Sequence, residues 1–269
     1  MLIWVCALHC EAKPVIDYYR LKKSQEDYPF DVYRNDTMIC VISGHGKLAS
    51  ASATAWIGAL QPAETTACWM NLGTAGTAEH ALGMPFQLNQ IEDADTGQRY
   101  YPVIPEKTSV AGHAGLCLSQ PSTDYVEDYL FDMESSGFIQ AAVRFSSAEL
   151  IRSVKVVSDN RYEQIGRNRQ AVSDLIQQNI TAIDAQSQAL QELGQQITRL
   201  EIAPEDWQAI VSLTHFTATQ RNRLRVLLRY LLNRRFAVNA LVDQLRPLKT
   251  ATAMLGSLEQ LGHQDSEQL

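Results

Sequence analysis

Five short runs dominate the first 160 residues: "LIWVCAL" (2–8), "MICVIS" (38–43), "TACWMNL" (66–72), "GLCLS" (115–119) and "VKVVS" (154–158). They are strand-length, rich in Val, Ile, Cys and aromatics, and show almost no polar alternation. Such runs are strands buried on both faces of a sheet. Between the second and third lies "GKLASASATAWIGAL" (46–60), with Ala, Ile and Leu at helical spacing. Strand, helix and strand over this length form a crossover unit, so the sequence predicts an α/β domain.

After Asp159 the character changes. "AVSDLIQQNITAIDAQSQALQEL" predicts one long helix with Ile176, Ile180, Ile183 and Leu190 near one face, punctuated by Gly194 and Pro204. "PEDWQAIVSL" starts a second helix with Pro and acids in its first turn. A third follows a threonine cap at Thr217 or Thr219, and a last helical piece covers about 237–261, interrupted near Pro247. The tail "GHQDSEQL" is expected to fray. On the third helix Arg221, Arg225 and Arg229 oppose a stripe of Leu224, Leu227, Leu228, Leu231 and Leu232, the pattern of an amphipathic helix with a solvated basic face. The expected organisation is an α/β domain over 1–198 and a helical extension over 199–269.

The net charge of −7 argues against bulk nucleic-acid binding. Cys6, Cys10, Cys40, Cys68 and Cys117 are scattered without repeated spacing, which suits reduced core thiols of a cytosolic protein and neither a disulfide framework nor a metal site. "MLIWVCAL" lacks the basic start and length of a secretory leader, and no apolar run reaches membrane-spanning length. The expectation is a soluble, cytoplasmic protein with no membrane partner.

Loops at the carboxyl ends of such strands are where open α/β sheets collect ligands. "ALHCEAKPV" puts Glu11 after the first strand, "SGHGK" (43–47) and "NLGTAGTAEHALG" (71–83) are glycine loops, and "VSDN" (157–160) puts Asp159 after the last strand. "FDMESSGFIQAA" (131–142) adds Asp132 and Glu134, two apart, before small residues that allow a close backbone approach. One acid after a strand is an ordinary cap; Glu11, Glu134 and Asp159 together with two glycine loops point to a ligand site. His45, between two glycines, suits a solvated loop. His9 and Cys10, adjacent on an extended segment, point apart. The 71–83 loop lacks the Gly-Lys-Ser/Thr ending of a triphosphate loop.

This pattern resembles the nucleoside phosphorylase/nucleosidase superfamily, and most closely its methylthioadenosine/S-adenosylhomocysteine nucleosidase branch. "NLGTAG" is similar to that branch's Asn-Thr-Gly-Ser-Ala-Gly loop, "DMESSG" to its acid-Met-Glu-Ala-Ala segment and "KVVSD" to its Arg-x-Ile-Ser-Asp segment. The motifs stand in the family's order over roughly residues 1–160. The resemblance implies a central mixed sheet flanked by helices. It implies hydrolysis of a purine N-glycosidic bond through a ribosyl cation-like state, with no cofactor and no metal, by a homodimer acting on a small nucleoside, nucleic acid not being a partner.

By the same resemblance Asp159 protonates the purine N7 and Ser158 orients it. Glu134 accepts bonds from the ribose hydroxyls, Met133 packs on the sugar, and Glu11 activates water. Gly73 and Thr74 form the loop beside the nucleophile, and Asp132 accompanies Glu134. Two departures stand out. Lys155 occupies the family's arginine position, which loses a bidentate contact to a carboxylate. The segment between Tyr101 and Asp132 is shorter than the family's, leaving Tyr125 as the candidate aromatic for stacking on the base. The alternatives are a non-catalytic nucleoside-binding or scaffold protein, its helices docking a partner or nucleic acid, and a nucleoside phosphorylase.

Overall fold

The computed structural model describes residues 1–62, 66–104, 110–122, 124–125, 128–165, 168–199, 202–234 and 236–266. They form two compact units, Met1–Gly194 and Gln195–Leu269.

The first unit opens with β1 (Leu2–Cys6), every residue of which is buried, and α1 (His9–Tyr18). A short β2 (Lys22–Lys23) and β3 (Asp31–Arg34) lead to β4 (Met38–Ile42) and α2 (Lys47–Ala59). Next come β5 (Cys68–Thr77), β6 (Pro85–Asp93), β7 (Arg99–Tyr100), β8 (Ala111–Cys117) and β9 (Leu130–Asp132). The unit continues through α3 (Ser135–Ala142), β10 (Ile151–Asp159), α4 (Arg169–Gln178) and α5 (Ile180–Arg199), the last running past Gly194. All five apolar runs read from the sequence lie in strands: β1, β4, β5, β8 and β10.

The sheet is mixed. β1 runs parallel to both β4 and β5, and β5 runs parallel to β10. Long β5 changes neighbour along one edge. Cys68–Leu72 pair with β1, whereas Gly76 and Thr77 pair with β9. From there β9 pairs β8, β8 pairs β6, and β6 pairs β10, which returns to β5. Five strands thus close a small barrel from which β1, β4, β3 and β2 extend as a sheet. Closure gives each of these five strands a partner on both sides over part of its length. The core around Ile3, Val5, Val41, Trp69, Leu88, Phe138, Ile151 and Val157 is buried by the helices.

Small residues set the approach of α3 to α2. A Cβ at Gly137 would collide with the Lys47 backbone, so glycine is what lets α3 lie against the first turn of α2. This is the close approach expected of "ESSG".

The single long helix expected after residue 170 is two. Asn179 leaves helical geometry between α4 and α5, and its amide Nδ2 donates to the carbonyls of Leu175 (2.9 Å) and Gly83 (2.8 Å). An asparagine with such partners stabilises a non-helical backbone. Ile176, Ile180, Ile183 and Leu190 are nonetheless all buried. Gly194 does not end α5 as expected. A side chain there would meet the Cys68 sulfur at 2.5 Å, so the glycine serves packing inside the helix.

The second unit contains α6 (Pro204–Val211), α7 (Ala218–Asn233), α8 (Val238–Leu245) and α9 (Ala251–Ser266). Thr217 caps α7 in a reciprocal capping box with Gln220. Leu224, Leu228, Leu231, Leu241, Leu245, Met254 and Leu258 form its core. Arg221, Arg225 and Arg229 lie on the exposed face of α7, and the Arg225 guanidinium sits 5.0 Å over the Trp207 ring. In the tail, α9 extends to Ser266.

Candidate active site

Of the acids picked out in the sequence, Glu11, Asp132 and Glu134 gather around one buried lysine, Lys155, and Asp159 does not. Glu11 is the third residue of α1, not a loop residue. Its Oε2 accepts the Leu8 N–H (3.0 Å), completing the first turn, while Oε1 accepts the Thr74 N–H (2.9 Å) and hydroxyl (3.1 Å). The carboxylate therefore links α1 to β5 across Gly73, where a Cβ would lie 3.0 Å from Glu11 Oε1 and 3.3 Å from Lys155 Nζ. Glycine at 73 is what admits both charged groups.

Lys155, register partner of Gly73, is 1% exposed. Its ammonium donates to Asp132 Oδ2 at 2.7 Å. Asp132, at the end of β9, also accepts the Ser135 N–H (2.9 Å) and hydroxyl (2.6 Å), so it holds the first turn of α3 as well as the lysine. Glu134, just before α3, accepts the Gly46 N–H at 2.9 Å. Gly46 has φ +93°, a conformation that aims this N–H and suits glycine. Burial pushes the Glu134 carboxyl up to about 7; the Lys155 charge opposes this, and Asp132 and Glu11 reinforce it. Burial likewise works against the Lys155 charge, but Asp132, Glu134 and Glu11 outweigh it and hold the ammonium above its usual range.

A further buried acid, unmarked in the sequence reading, supports α3 from the other side. Asp93 accepts the Ser136 hydroxyl (2.7 Å) and Lys47 Nζ (3.1 Å), and Lys47 also reaches Asp95 (2.6 Å). Burial opposes the Asp93 charge, yet Ser136 and Lys47 hold its carboxyl below the ordinary range.

Ser158 and Asp159 lie further along β10. The Ser158 hydroxyl donates to Asp159 Oδ2 at 2.6 Å, and Asp159 pairs with Gly76 in the sheet. Met133 is half-buried between Asp132 and Glu134. Tyr125 is buried within the protein: its ring lies 5.2 Å from Phe131 and fills the space over Gly76 that a side chain there would take. Arg161 holds this conformation by donating to the Tyr125 carbonyl through Nε (3.0 Å) and Nη2 (2.6 Å). Glu11, Gly73, Thr74, Asp132, Glu134 and Lys155 thus form one contiguous cluster, with Ser158 and Asp159 beyond it and Tyr125 over the intervening stretch of β5. A cavity of about 310 Å³ opens beside Leu8, His9, Cys10 and Arg169. It adjoins the Glu11 turn, and neither Glu134 nor Asp159 lines it. His45 is exposed, as a solvated loop histidine is.

The architecture is that of the nucleoside phosphorylase-like fold. Solved structures similar to it are 5′-methylthioadenosine/S-adenosylhomocysteine nucleosidases. The Neisseria meningitidis protein, in complex with methylthio-immucillin-A, superposes with a TM-score of 0.55 at 16% identity over 69% of this chain and 98% of its own. The Streptococcus pneumoniae protein gives 0.53 at 16% over 69% and 97%, and the Helicobacter pylori protein 0.52 at 12% over 70% and 97%. No protein-family model and no curated protein matches the sequence. At identity this low the likeness shows the fold alone.

Proposed function

We propose that the Met1–Gly194 unit hydrolyses the N-glycosidic bond of a purine nucleoside of the methylthioadenosine/S-adenosylhomocysteine class. The observation that carries this reading is the buried cluster in which Glu11 and Lys155 meet over Gly73 while Glu134 and Asp132 face the same ammonium. In this reading the C1′–N9 bond breaks with its electron pair leaving on the purine. Asp159, oriented by Ser158, delivers the proton that purine N7 gains. Glu134 accepts the ribose hydroxyls, with Met133 against the sugar. Glu11 takes a proton from the water whose oxygen bonds C1′, Thr74 and Gly73 form the adjacent wall, and Asp132 positions Lys155 and α3. Tyr125 is the ring that leaves Gly76 to stack on the base. A cytoplasmic homodimer working without cofactor belongs to the same proposal.

The conformation of Tyr125 favours a second reading. With its ring over Gly76, the stretch beside Asp159 is filled by the chain itself, as in a nucleoside-binding or scaffold protein without turnover. Incubation of the purified chain with a panel of purine nucleosides, free base being measured by chromatography and binding by calorimetry, separates the two. Base release that drops at least about 100-fold in Asp159→Asn with binding retained is expected. Binding without release of any base replaces the enzyme reading with the second one.

A further inference from the structure

We propose that His80, His113 and Asp128 form a binding site for a divalent transition-metal ion of the zinc type. One nitrogen from each imidazole and one carboxylate oxygen lie within 4.8 Å of one another. The two Nε2 atoms are 3.1 Å apart, and His113 Nε2 is 3.3 Å from Asp128 Oδ1. Donors bound to one tetrahedral zinc ion at ordinary bond lengths stand about 3.3 Å apart, so two of the three separations already match and the third lies within 4.8 Å.

The hydrogen-bond chemistry of His113 also suits a cation. Its Nδ1 is 3.0 Å from the Ala114 carbonyl, which only accepts, so Nδ1 carries a proton and Nε2 of the neutral ring presents a lone pair. That lone pair faces a carboxylate oxygen of Asp128 and the ring nitrogen of His80. His80 Nε2 either donates a proton to this lone pair or presents a second lone pair beside it, and in the second case the three atoms converge as ligands of one cation. A backbone carbonyl on the far imidazole nitrogen is the usual support of a metal-bound histidine. The rings are also held from behind: Phe86 lies 4.6 Å from His80 and 5.3 Å from His113, and Asn160 fixes the His80 carbonyl at 2.9 Å. Two imidazoles and a carboxylate suit zinc and its neighbours over calcium or magnesium. Asp128 is 88% exposed, which leaves an open face for water as the fourth ligand.

The three residues come from the loop after β5, from β8 and from the segment before β9, so the ion ties that segment to the barrel. Asp128 is three residues from Tyr125, whose ring lies over Gly76.

The test uses the full chain, freed of metal by chelation, titrated with Zn²⁺ against a chromogenic chelator and separately with Co²⁺ while its visible spectrum is recorded. The parent is expected to take up about one more equivalent of Zn²⁺ than the His80→Gln/His113→Gln variant. Its Co²⁺ form should show the visible bands of a low-coordinate nitrogen–oxygen site. At about a hundredfold excess over Kd, zinc should raise the parent's Tm by about 5–10 °C. Asp128→Asn, which alters an exposed side chain and leaves packing intact, should weaken binding at least about tenfold. Equal zinc uptake by the parent, the double-histidine variant and Asp128→Asn overturns the site and leaves a proton as the group between these atoms. If the histidine pair proves necessary for folding, the Asp128→Asn affinity alone decides.

Discussion

Replacing Lys155 by Met tests whether the acid cluster depends on its single buried cation. The substitution keeps the length and apolar stem, and removes the charge paired with Asp132 at 2.7 Å. Removing one partner of a buried pair leaves the other desolvated and unpaired, at a cost of about 3–5 kcal/mol. For a unit of this size that corresponds to a fall in Tm of roughly 10 °C. The pH dependence identifies the cause. Glu134 is held up at about 7 by burial although Lys155 pulls it down, so without the lysine it rises further. A carboxyl raised above its unfolded value contributes stability at low pH and loses it as pH climbs through the folded value. The gap between Lys155→Met and the parent should therefore widen between pH 6 and pH 8 as the parent's Glu134 ionises. Thermal unfolding followed by circular dichroism across that range measures it. A Tm within about 2 °C of the parent, or a deficit that does not change with pH, would refute the reasoning.

Glu134→Gln keeps an acceptor for the Gly46 N–H and removes the charge. The stability of this variant should no longer fall between about pH 4.5 and 7, as denaturant unfolding at several pH values will report, and its turnover should drop more for a ribonucleoside than for the 2′-deoxy analogue. Gly137→Ala, a change that usually stabilises a helix, should destabilise by about 1–3 kcal/mol because the new methyl meets the Lys47 backbone; an unchanged urea midpoint would contradict that packing. Arg221, Arg225 and Arg229 changed together to Gln should leave retention on DNA or RNA columns unchanged, with a small stability loss from the Arg225–Trp207 contact; a salt-sensitive loss of nucleic-acid binding would reassign α7.

What the sequence revealed of this fold follows from burial. β1, β4, β5 and β10 were legible because strands buried along their length carry runs of apolar residues, whereas β8 showed only through the short run at its inner end, its first residues being exposed. β6 was not: "PFQLNQIED" places Gln87 and Asp93 inside, and their burial comes from pairings with β8 and β10 that no local pattern encodes. Barrel closure was hidden for the same reason, since it rests on β5 exchanging β1 for β9 at Gly76. The acids Glu11, Asp132 and Glu134 were legible as acids at strand ends. Their convergence on Lys155 was signalled only by a lysine inside "VKVVS", a charge that a fully buried strand admits only with partners. The burial of Tyr125 depends on Gly76 lacking a side chain, and nothing near residue 125 announces it.

The charge distribution of the cluster also bears on whether the proposed reaction uses water or phosphate. A phosphate nucleophile brings nearly two negative charges and needs free cationic or backbone donors. Lys155 is already shared among Asp132, Glu134 and Glu11. Lys47, the nearest cation of the glycine loop, is committed to Asp93 and Asp95, and Lys13 pairs with Asp17 at 2.5 Å. Asn71, on the same strand, is buried and structural: it donates to the Val5 carbonyl (3.0 Å) and accepts the Ser153 hydroxyl (2.9 Å). The Thr74 N–H and hydroxyl, the donors a phosphate would use on this loop, are taken by Glu11. An anion brought here meets a carboxylate, whereas a water molecule meets a base. Any glycosidic cleavage by this chain should therefore release free ribose or its 5′-substituted form at a rate independent of added phosphate, measured by sugar analysis with phosphate rigorously removed. Ribose 1-phosphate as the product, with a strict phosphate requirement, would falsify the hydrolytic assignment and make the chain a phosphorylase.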